Sequence, residues 1–588
     1  MQRLYGKEKA KSIVHNYNQG KKDKYNFLIH YQILATYFLT RKADFTVNFQ
    51  PGQFLNRDLF DNTGPKAADV SAGALAGMLW PEESTNFEIC KSRNIPDTIE
   101  NKKYFDEVSY RMHRDMTHYE AGLNLAVTEF FRDEVNFGTC GIAAFEPVDP
   151  NASKSTKFMF QAWDVKRMVI DEGPSGFVNK IYYEREETVE NAALEFGLEN
   201  LSEQTQRIHA QDKLRSITKI NILHAIEPRY DRNPDGLGNF DLPVASCYIE
   251  LGQDHMIRES GYDMLPVFVC RLLKNIREKY GRSFAMNALP DVLELNALRE
   301  MEIVGTEKMY DPPLGILDDG RLGAGTLDTS AGAINVFNMT GRVGNNPPVF
   351  PLQVVGPVKP LKDRIDELKQ SVSDHFMIDR LLDMQNETEM TYGEVLERQK
   401  LRAFVLNPIF SRPINEVFSP LIHYCFKSLL DRGYLGVLPG SKKHQEAMLF
   451  GDDVLVIPPD IAKAMLNGED VYDIKYLTPA ARMMKTQLAS GILNSWKFAN
   501  DVAAARPQVY DNYDEDISAR LIAEYNGAPR EMCRAKELID QLRKVRDEQM
   551  AKQQQFQQVL EMAKATKGAA QSPGAGVESE QLQSPIQL

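Results

Sequence analysis

The chain has 588 residues, too many for one hydrophobic core, so several subdomains are expected. Hydrophobic residues make up 43% and charged residues 26%, the balance of an ordinary folded soluble protein, and the formal net charge is -13. That charge argues against tight nucleic-acid binding as the main task, because such binding needs Lys and Arg to neutralise many phosphates; it does not exclude a protein that lets DNA pass.

The start, "MQRLYGKEKAKSIVHNYNQGKKDK", is basic and polar, with no apolar signal-peptide core. Residues 24–42 read as a helix with an aromatic and aliphatic face. In "LFDNTGPKAADVSAGALAGMLWPEESTNFEI" (59–89) the small residues favour close helix packing, and Pro81 ends the helix. A long helical stretch follows over roughly 104–135, where Phe105, Val108, Met112, Met116, Leu123, Val127 and Phe131 fall mostly three or four apart.

From "NFGTCGIAAFE" (136–146) the period changes. "KFMFQAW", "RMVIDEG", "GFVNKIYYERE", "ITKINILHAIE" and "SCYIEL" read as strands separated by Gly, Pro, Asp or Asn, with the short helix "VENAALEFG" among them. The span 140–275 is therefore expected to be β-rich. Helix returns at 289–310, with Pro290 expected at its start. About fifty residues rich in Gly, Pro and Asn follow, and their apolar pieces predict a small compact unit.

Residues 361–382 form another helical pattern, with Leu361, Ile365, Leu368, Val372 and Phe376 on one face. "DMQNETEM" (383–390) then interrupts the pattern without Gly or Pro; a surface loop is its plain reading. Residues 391–433 read as one very long helix that Pro408, Pro413 and Pro420 should kink or break and Gly433 should close. Strands are expected around "DVLVIPP", and 478–565 is expected to be mostly helical. The end, "GAAQSPGAGVESEQLQSPIQL", has the composition of a disordered polar tail.

Catalytic patterns are missing. The sequence has no G-x-x-x-x-G-K-[ST], H-E-x-x-H or G-x-S-x-G, and "GRLGAG" reads as a turn cluster. Six scattered cysteines show no C-x-x-C or metal spacing, which fits buried thiols in a reducing compartment. No apolar run reaches the length of a membrane span. Asp511, Asp514, Glu515 and Asp516 miss the calcium-loop spacing and read as charges complementing a helix N-terminus. "QQQFQQVLEMAKATKG" is either an oligomer-forming or a solvated terminal helix. Lys359, Lys362, Arg364, Lys369 and Arg380 are candidates to face DNA, although spacing alone favours the polar side of an amphipathic helix.

Five phrases in order resemble the head-to-tail connector (portal) proteins of tailed phages, most closely those of short-tailed phages. "DNTGPKAADVSAGALAGMLWPEESTNFEI" is similar to the family's Asp-x-Thr-Gly opening and small-residue helix, with Asn86-Phe87 where a Trp-Phe pair is often found. "VTEFFRDEVNFGTCGIAAFE" resembles the helix that ends in Phe-Gly-Thr before a strand. "KYGRSFAMNALPDVLELNALRE" looks like the approach to a first stem helix. "MTYGEVLERQKLRAFVLNPIFSRPINEVFSPLIHYCFKSLLDRG" is similar to the long helix after the tunnel loop, with Thr391-Tyr392 where Thr-Ala is usual. "YDNYDEDISARLIAEYNGAPREMCRAKELIDQLRKVRDEQ" resembles the C-terminal signature.

The resemblance covers about residues 25–550 and implies an α+β, ring-forming portal fold. In it, 1–280 is a wing, 281–309 a stem helix, 310–359 a small α/β clip, 360–383 a second stem helix and 384–390 a tunnel loop. Residues 391–470 would be the long wing helix and return strands, 471–566 a helical crown, and 567–588 a disordered tail. It implies a dodecameric ring at one capsid vertex of the virion, assembled in the host bacterial cytoplasm. Double-stranded DNA would pass through it. Terminase, tail adaptor or other tail proteins, and major capsid and scaffolding proteins would be its partners, with no membrane, cofactor, metal or catalytic activity. Met384, Gln385, Asn386, Glu387, Thr388, Glu389 and Met390 would approach the DNA. Three alternatives stand beside it: another ring-forming virion component such as a tail adaptor, which is usually shorter and lacks a clip between two stem helices; an enzyme with an unrecognised site; or a scaffold unrelated to phage.

Overall fold

A computed structural model describes residues 6–48, 50, 52–53, 58–82, 84–146, 157–234, 236, 238–318, 328–338, 349–351, 359–382, 392–438, 455–503, 506–525, 532, 534 and 536–568. The α+β class expected from the sequence is observed. Helix α1 runs Gly6–Phe38, starting well before residue 24, where the sequence reading placed it. Its polar-looking first half carries Ala10, Ile13 and Tyr17 at helical spacing, and these bury against a sheet. Helix α2 (Thr63–Leu79) buries a small-residue face of Ala67, Ala68, Ser71 and Ala72.

The stretch expected as one helix over 104–135 is two, α3 (Ile99–Met116) and α4 (Leu123–Phe137). Gly122 takes a left-handed φ of 73° and redirects the chain between them. Thr98 caps α3 by accepting from the Asn101 amide at 3.2 Å. Gly138 ends α4 with φ 73°; a Cβ there would stand 2.3 Å from the Arg282 backbone, so no other residue fits.

The strands are β1 (Phe87–Lys91), β2 (Thr139–Phe145), β3 (Met159–Trp163), β4 (Met168–Glu172), β5 (Val178–Thr188), β6 (Lys219–Pro228), β7 (Val244–Glu250), β8 (His255–Tyr262) and β9 (Val267–Arg271). Short helices α5 (Val189–Phe196), α6 (Glu203–His209) and α7 (Asp212–Arg215) join β5 to β6. Two antiparallel sheets result, of order β3-β2-β9 and β4-β5-β6-β7-β8. Between them lie Trp163, Met168, Ile170, Ile181, Ile226, Val267 and Val269. The other face of the larger sheet presents Tyr182, Leu223, Ala225, Cys247 and Ile249 to α1. Alternate residues thus serve two different cores.

Helix α8 (Phe284–Tyr310) begins six residues before Pro290, not at it. Ser283 caps the helix by accepting from the Met286 amide at 3.0 Å, and buried Phe284, Ala285 and Ala288 anchor the first turns. Strands β10 (Leu314–Asp318), β11 (Ile334–Asn338) and β12 (Val349–Pro351) form a small sheet of order β11-β10-β12. Helices α9 (Lys359–His375) and α10 (Ile378–Leu382) follow.

The long helix does not break at its prolines. It runs as α11 (Tyr392–Pro413), a π-helical turn (Ile414–Phe418) and α12 (Ser419–Asp431), with Gly433 at φ 82° beyond its end. The wide turn lies between Pro413 and Pro420, each of which lacks the amide of a regular α-helical bond, and the helix continues through it. Of the strands expected around "DVLVIPP", the described residues retain only a bridge between Val437 and Val456. A strand β13 (Tyr472–Tyr476) instead pairs with the distant β1, from Phe87↔Tyr476 to Lys91↔Tyr472. Helices α13 (Pro459–Leu466), α14 (Pro479–Ala503), α15 (Glu515–Tyr525) and α16 (Lys536–Gly568) complete the described chain.

The π turn sits at the centre of the main core. Phe418 stacks on Trp80 with ring centres 5.1 Å apart, and Phe130 and Phe131 pack beside it. Glu416, on the same turn, accepts from the Arg271 amide at 3.0 Å, from the Arg271 guanidinium at 3.0 Å and from Arg412 at 2.8 Å. Arg271 is itself buried and also donates to Glu172 and to the Gly176 carbonyl. Close by, Glu134 is fully buried and accepts from the Cys270 thiol at 3.1 Å.

Burial pushes the Glu134 carboxyl up to about 8 from an ordinary 4.5, and nearby Glu416 adds to the rise. A folded-state value above the unfolded one favours folding fully below about 4.5 and is lost as pH rises through 8. Glu134→Gln keeps the acceptor for Cys270 and removes the titration. Its melting temperature, measured against wild type, is expected to gain progressively from pH 5 to pH 8; a constant difference contradicts the buried neutral carboxyl.

Candidate channel-lining segment

The two stem-like helices form a pair. Asp291 on α8 accepts from Ser371 on α9 at 2.6 Å and lies 3.4 Å from His375, while Glu294 takes the Arg364 guanidinium at 3.0 and 3.2 Å. Partner numbers fall along α9 as they rise along α8, so the helices are antiparallel. Leu295, Ile365 and Leu368 make a small core between them, flanked by Leu298 and Leu361. Asn296, nearly buried, donates to the Asp58 carbonyl at 3.0 Å and accepts from the Phe60 amide at 2.8 Å, tying α8 to the segment before α2. With 27 residues, α8 is about 40 Å long. The sheet of β10, β11 and β12 lies between the two helices in the chain, with β10 parallel to β11 and antiparallel to β12.

The stripe read from the sequence holds: Ile365, Leu368, Val372 and Phe376 are buried, and Leu361 packs beside them. The basic candidates fall outside it. Lys359, Lys362, Arg364 and Arg380 are exposed and Lys369 is half-buried. Arg364 also pairs with Glu367 at 2.9 Å, and these two carboxylates hold its guanidinium more firmly protonated than usual, Glu367 most. Lys369 stands 3.6 Å from Asp366. Lys359, Lys362 and Arg380 make no ion pair with any described residue. The candidates Met384, Gln385, Asn386, Glu387, Thr388, Glu389 and Met390 lie outside the described residues.

Sequence reasoning missed two features. Glu294 as the partner of Arg364 depends on a helix register that no local pattern encodes. The far half of α8 exposes Met301, Ile303, Val304, Met309 and Tyr310, the last at 86%. At 100° per residue these positions surround the helix instead of forming one stripe. That all-round pattern was a legible signal of a helix whose apolar surface calls for a packing partner on more than one side. Among the described residues no group of three or more His, Cys, Asp or Glu could hold a metal ion, and no helix is long and apolar enough to cross a membrane.

Leu368→Ala is expected to cost about 2 to 3 kcal/mol, because so small a core has little else to fill the gap. Hydrogen exchange should accelerate in 289–298 and 361–372 and stay unchanged in 99–137. Arg364→Ala, an exposed pair, should leave both regions protected; equal loosening by the two variants would contradict the apolar origin of the pairing.

The sequence profile described as bacteriophage head to tail connecting protein matches residues 10–533. The chain is 24% identical over 554 residues to the probable portal protein of Bordetella phage BPP-1, covering 92% of each chain. It is 21% identical over 562 residues to the portal protein of Salmonella phage epsilon15, covering 94% of this chain and 93% of that one. A solved structure titled as the virion of a native gene transfer agent particle aligns with 75% of this chain and 93% of its own, at 12% identity and a TM-score of 0.32. With its helical and β-rich parts, its paired α8 and α9 and a profile match spanning nearly its whole length, this chain belongs to the bacteriophage head-to-tail connecting protein family.

Proposed function

We propose that the chain is a portal subunit, one of twelve in a ring at a single capsid vertex of the virion. The observation that carries the ring is the far half of α8, whose apolar residues surround the helix and stand exposed among the described residues. A second copy supplies that cover, and a heterologous contact repeated by a rotation that closes gives a ring. In this reading 1–280 is the wing, 281–309 and 360–383 are the stem, 310–359 is the clip, 391–470 carries the long wing helix, and 471–566 is the crown. The role is structural, without catalysis. A separate terminase supplies ATP hydrolysis and docks, as do tail adaptor proteins, at the clip. Assembly takes place in the host cytoplasm with scaffolding and major capsid proteins.

Double-stranded DNA must slide through such a ring in both directions. Each phosphate neutralised by a fixed cation adds affinity and would hinder sliding. Arg364 and Lys369 already have carboxylate partners, and the chain's net charge is -13. Lys359, Lys362 and Arg380 remain as weak, exposed contacts. Residues 384–390 form the tunnel loop in this reading. Gln385, Asn386 and Thr388 touch the duplex weakly, Glu387 and Glu389 repel phosphates, and no residue there forbids a switch into helix.

Deleting 385–389 tests the loop. Rings should still assemble, while packaged DNA per head and its retention fall. Unchanged packaging and retention, or a tight complex of ring and DNA that ignores salt, would overturn this mechanism.

A further inference from the structure

A cavity between the two antiparallel sheets has features that the channel reading leaves unused. Its floor is a row of residues directly opposite one another on four strands: Tyr183↔His224, His224↔Tyr248 and Tyr248↔Arg258. Register partners share a face, so all four side chains stand on the side turned toward the smaller sheet. Trp163 from that sheet stacks on Tyr183 at 4.3 Å and 17°, and His224 stacks on Tyr248 at 4.1 Å and 11°. Phe145 closes one wall, 5.9 Å from Trp163 and 5.7 Å from His224 between ring centres. The cavity volume is ≈ 530 Å³, within the range of about 300–1,000 Å³ typical of small-molecule sites.

The charges of this cavity are unbalanced. The Arg258 guanidinium lies 5.0 Å from the Tyr248 ring centre and 5.6 Å from that of Phe196, and it makes no ion pair with any described residue. Arg185 is paired with Glu195 at 2.5 Å, yet its buried Nε has no acceptor. The other lining carboxylates are engaged elsewhere, Glu259 with Arg229 and Lys9 and Glu146 with Arg432. Burial, then Arg185 and Arg258, lower the His224 pKa to about 3, so the imidazole is neutral and adds no charge of its own.

We propose that this cavity binds a planar aromatic ring bearing an anionic group, of the size of a nucleoside monophosphate. The ring packs against the aromatic row, and the anion takes Arg258 and the spare Arg185 Nε–H. Stacking tolerates many rings because each has a π face, and a charged donor pair adds directional, charge-assisted hydrogen bonds. The site is separate from the stem and does not depend on the channel reading.

Titration calorimetry on the full chain, with Trp163 fluorescence as a second readout, tests this with dAMP, adenosine, inorganic phosphate and benzoate. Saturable binding of dAMP or benzoate is expected, at least about tenfold tighter than adenosine or phosphate, which each carry half of the chemistry. Tighter binding of dAMP assigns a nucleotide, and tighter binding of benzoate an aromatic carboxylate. Arg258→Ala, at an exposed position on β8, should weaken binding about tenfold with an unchanged melting temperature. The proposal is overturned if neither aromatic anion saturates, if phosphate alone binds equally well, or if the Arg258→Ala chain binds as wild type does.

Discussion

A single buried guanidinium joins the parts of this chain. Arg271 closes the smaller sheet as the last residue of β9, reaches Glu172 on the larger sheet, and grips Glu416 on the π turn of the long helix. Removing one partner of such a set leaves an uncompensated buried charge, a far larger loss than the net worth of the pairing itself. The β-rich region and the long helix are therefore obliged to keep one relative placement. The π turn is part of that constraint, since it carries Glu416 toward Arg271 and Phe418 toward Trp80 in the main core.

The remaining architecture follows from where apolar surface is covered and where it is not. The two sheets share a core, α1 covers the outer face of the larger one, and α2, α4 and the long helix enclose the aromatic cluster. By contrast, the α8–α9 pair has only a three-residue core of its own and leaves much of α8 apolar and exposed. In the proposed ring, further copies would cover that surface, and the acidic net charge with locally paired arginine and lysine would keep the grip on a passing duplex weak.

Much of this was legible in the sequence where the signal was local. The stripe from Leu361 to Phe376 placed α9 and its polar side, and the β-branched runs between Gly, Pro and Asn placed most strands. Local signals failed where distant partners decide. The polar start hid Ala10, Ile13 and Tyr17 because their sheet lies over a hundred residues away. The pairing of β1 with β13 and of Arg364 with Glu294 depends on registers set by tertiary packing. Pro408, Pro413 and Pro420 were expected to kink or break the long helix, yet α11 runs through Pro408 and a π turn links it to α12 between Pro413 and Pro420. Of the candidate site, Lys359, Lys362 and Arg364 lie on the exposed side of α9 and Lys369 is half-buried, whereas residues 384–390 lie outside the described residues.

In the proposed ring, further copies cover the exposed apolar half of α8 and enclose an open channel. Electron microscopy of the purified 588-residue chain tests this. Uniform rings with a central hole, with α8 and α9 facing it, are the predicted result; monomers persisting at high concentration would contradict it.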